Sequence, residues 1–147
     1  MESKAGGFRE IEHTADWELE VWSHDLKGLL EQAARGMYAL SGVRLLDGPV
    51  IERQMELDAP DRESLLVSFL SELLYVLEQE NLAFQEFDIS VNDRSARSLP
   101  DIGLHLGARL IGVPVEGLDK EIKAVTYHML SVRSSSRGLE AHLVFDV

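Results

Sequence analysis

Asp61-Arg62-Glu63-Ser64-Leu65-Leu66-Val67-Ser68-Phe69-Leu70-Ser71-Glu72-Leu73-Leu74-Tyr75-Val76-Leu77 is the stretch that decides the fold. Leu65, Leu66, Phe69, Leu70, Leu73, Leu74, Val76 and Leu77 recur at helical spacing and form a wide apolar face. Pro60 and Asp61 open the helix, because proline is tolerated in a first turn. Glu78, Gln79, Glu80 and Asn81 carry its end into solvent. No other helical segment is as apolar, so this one is expected at the centre of the core.

Strands flank it on both sides. Upstream, Asp47-Gly48-Pro49 is a turn signal, and residues 50–57 alternate as a strand. Downstream, Phe87, Ile89 and Val91 alternate within a strand over 84–91. A polar connection follows at 92–101, then a strand over 102–111 and a loop over 112–118. Residues 121–133 are rich in β-formers and read as a strand. Ser134-Ser135-Ser136-Arg137-Gly138 is a hairpin turn, and 139–147 is the last strand.

Near the start, residues 1–7 read as a flexible arm. The first structured segment is residues 8–23, and within it Trp17, Leu19 and Val21 alternate with Glu18 and Glu20, which marks a half-buried strand. Asp25 is a candidate N-cap for a helix through about Leu40, closed by Gly42. The order is β-α-β-α-β-β-β-β. The last connections are too short for helical crossovers, so those strands pair antiparallel. The expectation is one α+β domain over 1–147, with two helices packed on one face of a largely antiparallel mixed sheet.

The chain has 147 residues, 45% of them apolar, with 26 acidic against 14 basic side chains and a net charge of −12. This acidity argues against strong binding to a nucleic-acid backbone, which demands Lys and Arg. It suits a cation site, a basic protein partner, or solubility. Cysteine is absent, so disulfides, thiolate metal sites and cysteine nucleophiles are excluded. No apolar run reaches the roughly 18 residues of a membrane span, and no signal-peptide pattern opens the chain. A soluble, cytoplasmic protein is the expectation.

Chemistry-bearing residues collect near the two ends. Glu12-His13-Thr14-Ala15-Asp16 packs a histidine, a threonine and two acids into five positions. It reads either as a polar strand entry or as a cation or catalytic site. Asp146 sits on an apolar strand beside the terminal carboxylate of Val147. Either the end is simply solvated, or a bound cation relieves the repulsion of two neighbouring anions. If the first and last strands are neighbours, Asp16, Asp146 and Val147 converge. Three hard oxygen donors without cysteine suit Ca²⁺, Mg²⁺ or Mn²⁺ better than Zn²⁺. Folding back at the serine turn brings Asp146 opposite Val125 or Thr126, within two positions. Lys123 then lies near the terminal carboxylates, either tuning an acidic site or forming a solvated ion pair. His24, His105 and His142 read as surface or satisfied histidines, and Trp17 and Trp22 as sheet packing. No nucleophile elbow, Walker-type loop or dinucleotide-binding glycine pattern is present.

Four segments together resemble the archease family across essentially the whole chain. They are Glu12-His13-Thr14-Ala15-Asp16, the helix carrying Phe69-Leu70-Ser71-Glu72-Leu73-Leu74-Tyr75, the run Glu121-Ile122-Lys123-Ala124-Val125-Thr126-Tyr127-His128, and the closing Asp146-Val147. The resemblance implies a non-catalytic accessory protein of the GTP-dependent RNA-splicing ligase of the RtcB type. Such a protein promotes transfer of GMP onto the ligase's active-site histidine and sustains turnover in tRNA splicing. It also implies a divalent cation held by Asp16, Asp146 and Val147, with Glu12, His13 and Lys123 in support. Trp17 departs from the family pattern, where a small aliphatic residue is usual. Two other classes compete: a small metal-dependent phosphohydrolase on the same carboxylates, and a general chaperone or scaffold.

Overall fold

The computed structural model describes residues 6–12, 17–93 and 103–147; of Glu12 it describes the backbone. Among the described residues two helices and nine strands follow in the order β1 (Gly7–Glu12), β2 (Trp17–Ser23), α1 (Leu26–Ser41), β3 (Arg44–Leu45), β4 (Ile51–Ala59), α2 (Arg62–Glu80), β5 (Leu82–Asp93), β6 (Leu104–Gly117), β7 (Ala124–Thr126), β8 (Arg133–Ser135) and β9 (Gly138–Asp146). The α+β class and the two helices agree with the sequence reading. The strands, however, form two sheets rather than one, and every pairing between them is antiparallel.

One sheet runs β1-β2-β9-β7, with β8 also paired to β9. The other runs β3-β6-β4, with β5 on the free side of β6. The character of α2 explains why one sheet does not suffice. Leu65, Leu66, Val67, Phe69, Leu70, Leu73, Leu74, Val76 and Leu77 are all buried, which takes in most of the helix circumference. A helix apolar on so many sides has to be covered from more than one direction. It packs against β4 and β5 of one sheet and β7 of the other, while α1 lies on β1 and β2 and reaches β5. Leu19 and Leu143 from one sheet, Leu106 and Leu110 from the other, and Leu30, Phe69 and Leu73 from the helices belong to a single core.

Both helices begin and end as their sequences require. Asp25 accepts the Gly28 N–H at 2.9 Å, and Asp61 accepts the Ser64 N–H at 2.7 Å. Pro60 therefore lies outside α2, with Asp61 as the cap rather than a first-turn residue. Gly42 and Asn81 close the helices in the left-handed region, at φ 65° and 53°.

Several boundaries differ from expectation, and β3 is not among the expected strands. Gly7 is already in β1, paired with Trp22, and β1 is a separate strand antiparallel to β2. Residues 112–117 continue β6 instead of forming a loop. The long strand expected over 121–133 is two short ones, because Tyr127 accepts the Leu130 N–H in a turn and Met129 adopts φ 55°. The polar connection expected over 92–101 falls mostly outside the described residues; its first two positions, Asn92 and Asp93, are the end of β5.

Candidate functional site

The tail of β9 is held between two strands. On one side β2 pairs with it so that Trp17 lies opposite Phe145, Leu19 opposite Leu143 and Val21 opposite Ala141. On the other side β7 places Ala124 opposite Asp146 and Thr126 opposite Val144. The expected position of Asp146, within two residues of Val125 or Thr126, agrees with this register. Thr126 fastens the pairing by donating its hydroxyl to the Val144 carbonyl at 3.0 Å.

Alternation then assigns the faces. Leu19, Val21, Ala141, Leu143 and Phe145 point into the core and are at most 3% exposed. Asp146 is out of phase with them and is exposed, while Val147 is half-buried. The Asp146 carboxylate has no ion pair among the described residues. Its backbone is firmly placed, because the Lys123 N–H donates to the Asp146 carbonyl at 2.7 Å. Lys123 is thus beside the chain end, as the strand count anticipates, and its side chain is exposed.

Asp16 and His13 lie outside the described residues, as does the side chain of Glu12, whose backbone pairs with Trp17. Among the described residues no three His, Asp or Glu side chains form a group fit to hold a metal ion. The expected ligand set draws on Asp16, so the described residues contain only part of it. Within that part the Asp146 carboxylate is an exposed hard oxygen donor with no ion pair among the described residues.

Sequence reasoning missed what stands next to this end. Lys120 places its ammonium 4.2 Å from the centroid of the Trp17 ring, a cation–π contact. The lysine is brought there by a backbone anchor. Asp119 and Lys120 both donate their N–H groups to the Ser41 carbonyl, at 2.9 and 3.0 Å. Arg44 adds an ion pair to Asp119. The anchor depends on the end of α1 lying against residues far along the chain, so spacing in the sequence carries no sign of it.

Other polar contacts tie neighbouring elements together. Arg62 donates to the Val132 carbonyl at 3.0 Å, and Glu63 accepts the Val132 N–H at 2.8 Å. The start of α2 thereby grips the segment joining β7 to β8, which presents Tyr127 and Met129 at 57% and 79% exposure. Along β2 and β9, Glu18 pairs with His142, and Arg9 and Arg137 both pair with Glu20. Burial pushes the Glu20 carboxyl up, but the two guanidiniums outweigh it and hold the group below the usual range. His105 lies 2.8 Å from Asp58 and 3.3 Å from Glu56. His105 and His142 are thus satisfied histidines, as expected.

Residues 8–147 match the sequence pattern of the archease protein family (MTH1598/TM1083). The chain belongs to the archease family. Protein archease of Methanothermobacter thermautotrophicus is 31% identical over 144 residues, covering 96% of this chain and 99% of its own. Protein archease of Methanosarcina acetivorans is 32% identical over 150 residues, with both chains covered in full. A protein of Dictyostelium discoideum named archease-like is 31% identical over 151 residues, covering 95% of this chain and 93% of its own. The solution structure of Methanobacterium thermoautotrophicum protein 1598 superposes with a TM-score of 0.73 at 29% identity, covering 96% of this archease and 99% of that chain. A Thermotoga maritima archease, described as a possible chaperone, shares the fold with a TM-score of 0.67 at 23% identity. No helix among the described residues of this archease is long and apolar enough to cross a membrane.

Proposed function

We propose that this archease activates a GTP-dependent RNA-splicing ligase of the RtcB type, promoting guanylylation of the ligase's active-site histidine and repeated turnover in tRNA splicing. It does so as a non-catalytic partner carrying a divalent cation, Ca²⁺, Mg²⁺ or Mn²⁺, on Asp16, Asp146 and the terminal carboxylate of Val147. Family membership supports the role. One observation carries the site: Trp17 is paired with Phe145 across β2 and β9. Asp16 is bonded to Trp17 and Asp146 to Phe145, and consecutive Cα atoms are about 3.8 Å apart. The chain neighbours of the two aspartates are thus paired, although the aspartates are 130 positions apart in the numbering, and this supports the reading.

When bound, the cation would supply a fixed positive charge beside the carboxylates. The residues of this chain would hold it and set its surroundings: β7 pairs Ala124 with Asp146, the Lys123 N–H just before β7 donates to the Asp146 carbonyl, and Lys120 lays its ammonium over Trp17. Glu12 and His13 belong to the same reading as support for the ligands.

The experiment is RNA ligation and ligase guanylylation with the cognate ligase, with and without this protein, across Mg²⁺, Mn²⁺ and Ca²⁺. Wild type is expected to raise guanylylation and turnover. Asp146→Ala is expected to abolish that stimulation while leaving the circular dichroism spectrum unchanged. Equal stimulation by the variant would refute the metal-site mechanism.

A further inference from the structure

A cleft of about 650 Å³ lies between the last turns of α2 and residues 115–122. Its floor is apolar, with Leu74, Leu77 and Ile122 at 6%, 4% and 1% exposure. Its rim carries Glu78, Glu116 and Glu121, all exposed. Among the described residues that line it there is no lysine, arginine or histidine. The rim carboxylates have no ion pair among the described residues, whereas Glu20, Glu31, Glu52 and Glu80 each hold an arginine. The last turn of α2 has no basic side chain to offset the negative end of the helix dipole.

Charge and shape together define what fits. Three carboxylates and a helix C-terminus favour a cation. A bare metal ion would make no use of an apolar floor, and these carboxylates are not grouped to hold one. A lysine or arginine on an apolar segment satisfies both demands, because its stem is apolar and its head charged. We infer that the cleft is a docking groove for a basic, amphipathic segment of the partner protein. Its apolar side chains lie on Leu74, Leu77 and Ile122, and its cationic heads meet Glu78, Glu116 and Glu121. Along the chain the groove adjoins the candidate site, since Glu121 and Ile122 precede Lys123, whose N–H donates to the Asp146 carbonyl. The identity of the partner as the ligase rests on the proposed function; the chemistry of the groove does not.

The test is a titration of the full ¹⁵N-labelled chain with a short amphipathic peptide of leucine and arginine, and with spermidine. The peptide is expected to shift amides at Glu78, Asn81, Glu116 and Glu121, and to bind more weakly as salt rises. The triple variant Glu78→Gln, Glu116→Gln, Glu121→Gln is expected to bind it roughly tenfold more weakly or worse, because its charge complementarity is gone. The same variant should need more protein to stimulate the ligase. Shifts centred elsewhere, unchanged binding by the variant, or spermidine binding as tightly as the peptide would each overturn the groove. If the triple variant stimulates the ligase like wild type while Asp146→Ala fails, the groove is wrong and the ligase reading stands. If wild type itself never stimulates, that reading falls, and the peptide titration still decides the groove.

Discussion

Tyr38 shows how much one buried polar atom settles. It is 9% exposed at the foot of α1, and its hydroxyl oxygen accepts the Phe84 N–H at 3.2 Å. Burial pushes its phenol up to about 12, with the Phe84 bond pulling the other way. The sign of the pH effect follows. In the unfolded chain the phenol ionises near 10, while in the fold it stays protonated to about 12. Stability therefore falls as pH rises through 10 and goes on falling until about 12, by about 2 kcal/mol at pH 11.5. Urea unfolding at pH 9 and pH 11.5 should show this loss for wild type. Tyr38→Phe should lose less over the same interval, while costing about 1–2 kcal/mol at neutral pH through the orphaned Phe84 N–H. Gly138 is a second decisive residue, at φ 102° where β9 begins. A Cβ there would meet the Ser23 carbonyl oxygen at 2.3 Å, and that atom is backbone. Gly138→Ala is expected to destabilise by more than about 1 kcal/mol, read as a lowered urea midpoint.

At the scale of elements, the helices were legible because their ends are written in local chemistry. Asp25, Asp61 and Gly42 each do locally what their type predicts. The Ser64 N–H holds the Asp61 carboxyl below its usual value. Asp61→Ala should therefore cost about 1 kcal/mol at pH 7. That difference should shrink as pH falls below 3.8, where the carboxylate of the unfolded chain takes up its proton first, and vanish once the folded carboxylate is protonated too and stops accepting. Urea unfolding of both proteins along a pH series checks it. Strand ends were less legible, since partners decide them. Pro114 reads as a break because it offers no ladder N–H. In β6 it stands where β4 has ended, at Gly112, and before β3 joins at Val115. No donor is missed there, and its carbonyl accepts the Leu46 N–H at 2.8 Å. Residues 121–133 mislead in the opposite way. Val125, Thr126 and Tyr127 have strand propensity, but only three residues of the run pair as β7 before the turn at Tyr127.

The whole molecule holds what no single window shows. Division into two sheets follows from how α2 is covered, and the sequence shows only that its apolar face is wide. Of the candidate site, the nearness of Asp146 to Lys123 was readable by counting back from the serine turn. Lys120 over Trp17 was not, because it depends on α1 ending where residues 119–120 come to rest. Net charge acts at this scale too. At −12 the folded chain repels itself, and salt screens that repulsion. Raising NaCl from low to moderate concentration should lift the melting temperature by a few degrees, as measured by calorimetry, with the net charge outweighing the surface ion pairs.

The stacked pair at the start of β2 gives the protein its own optical gauge. Trp17 and Trp22 are its two indoles, and Trp22 sits under the guanidinium of Arg137. Trp22→Phe leaves a single emitter, covalently joined to Asp16 and laid across from Phe145. A titration of that variant with Mn²⁺, a paramagnetic quencher, tests the proposed cation site, since binding there is expected to dim the emission, and Lys120→Met reports how much of the signal the ammonium above the ring controls.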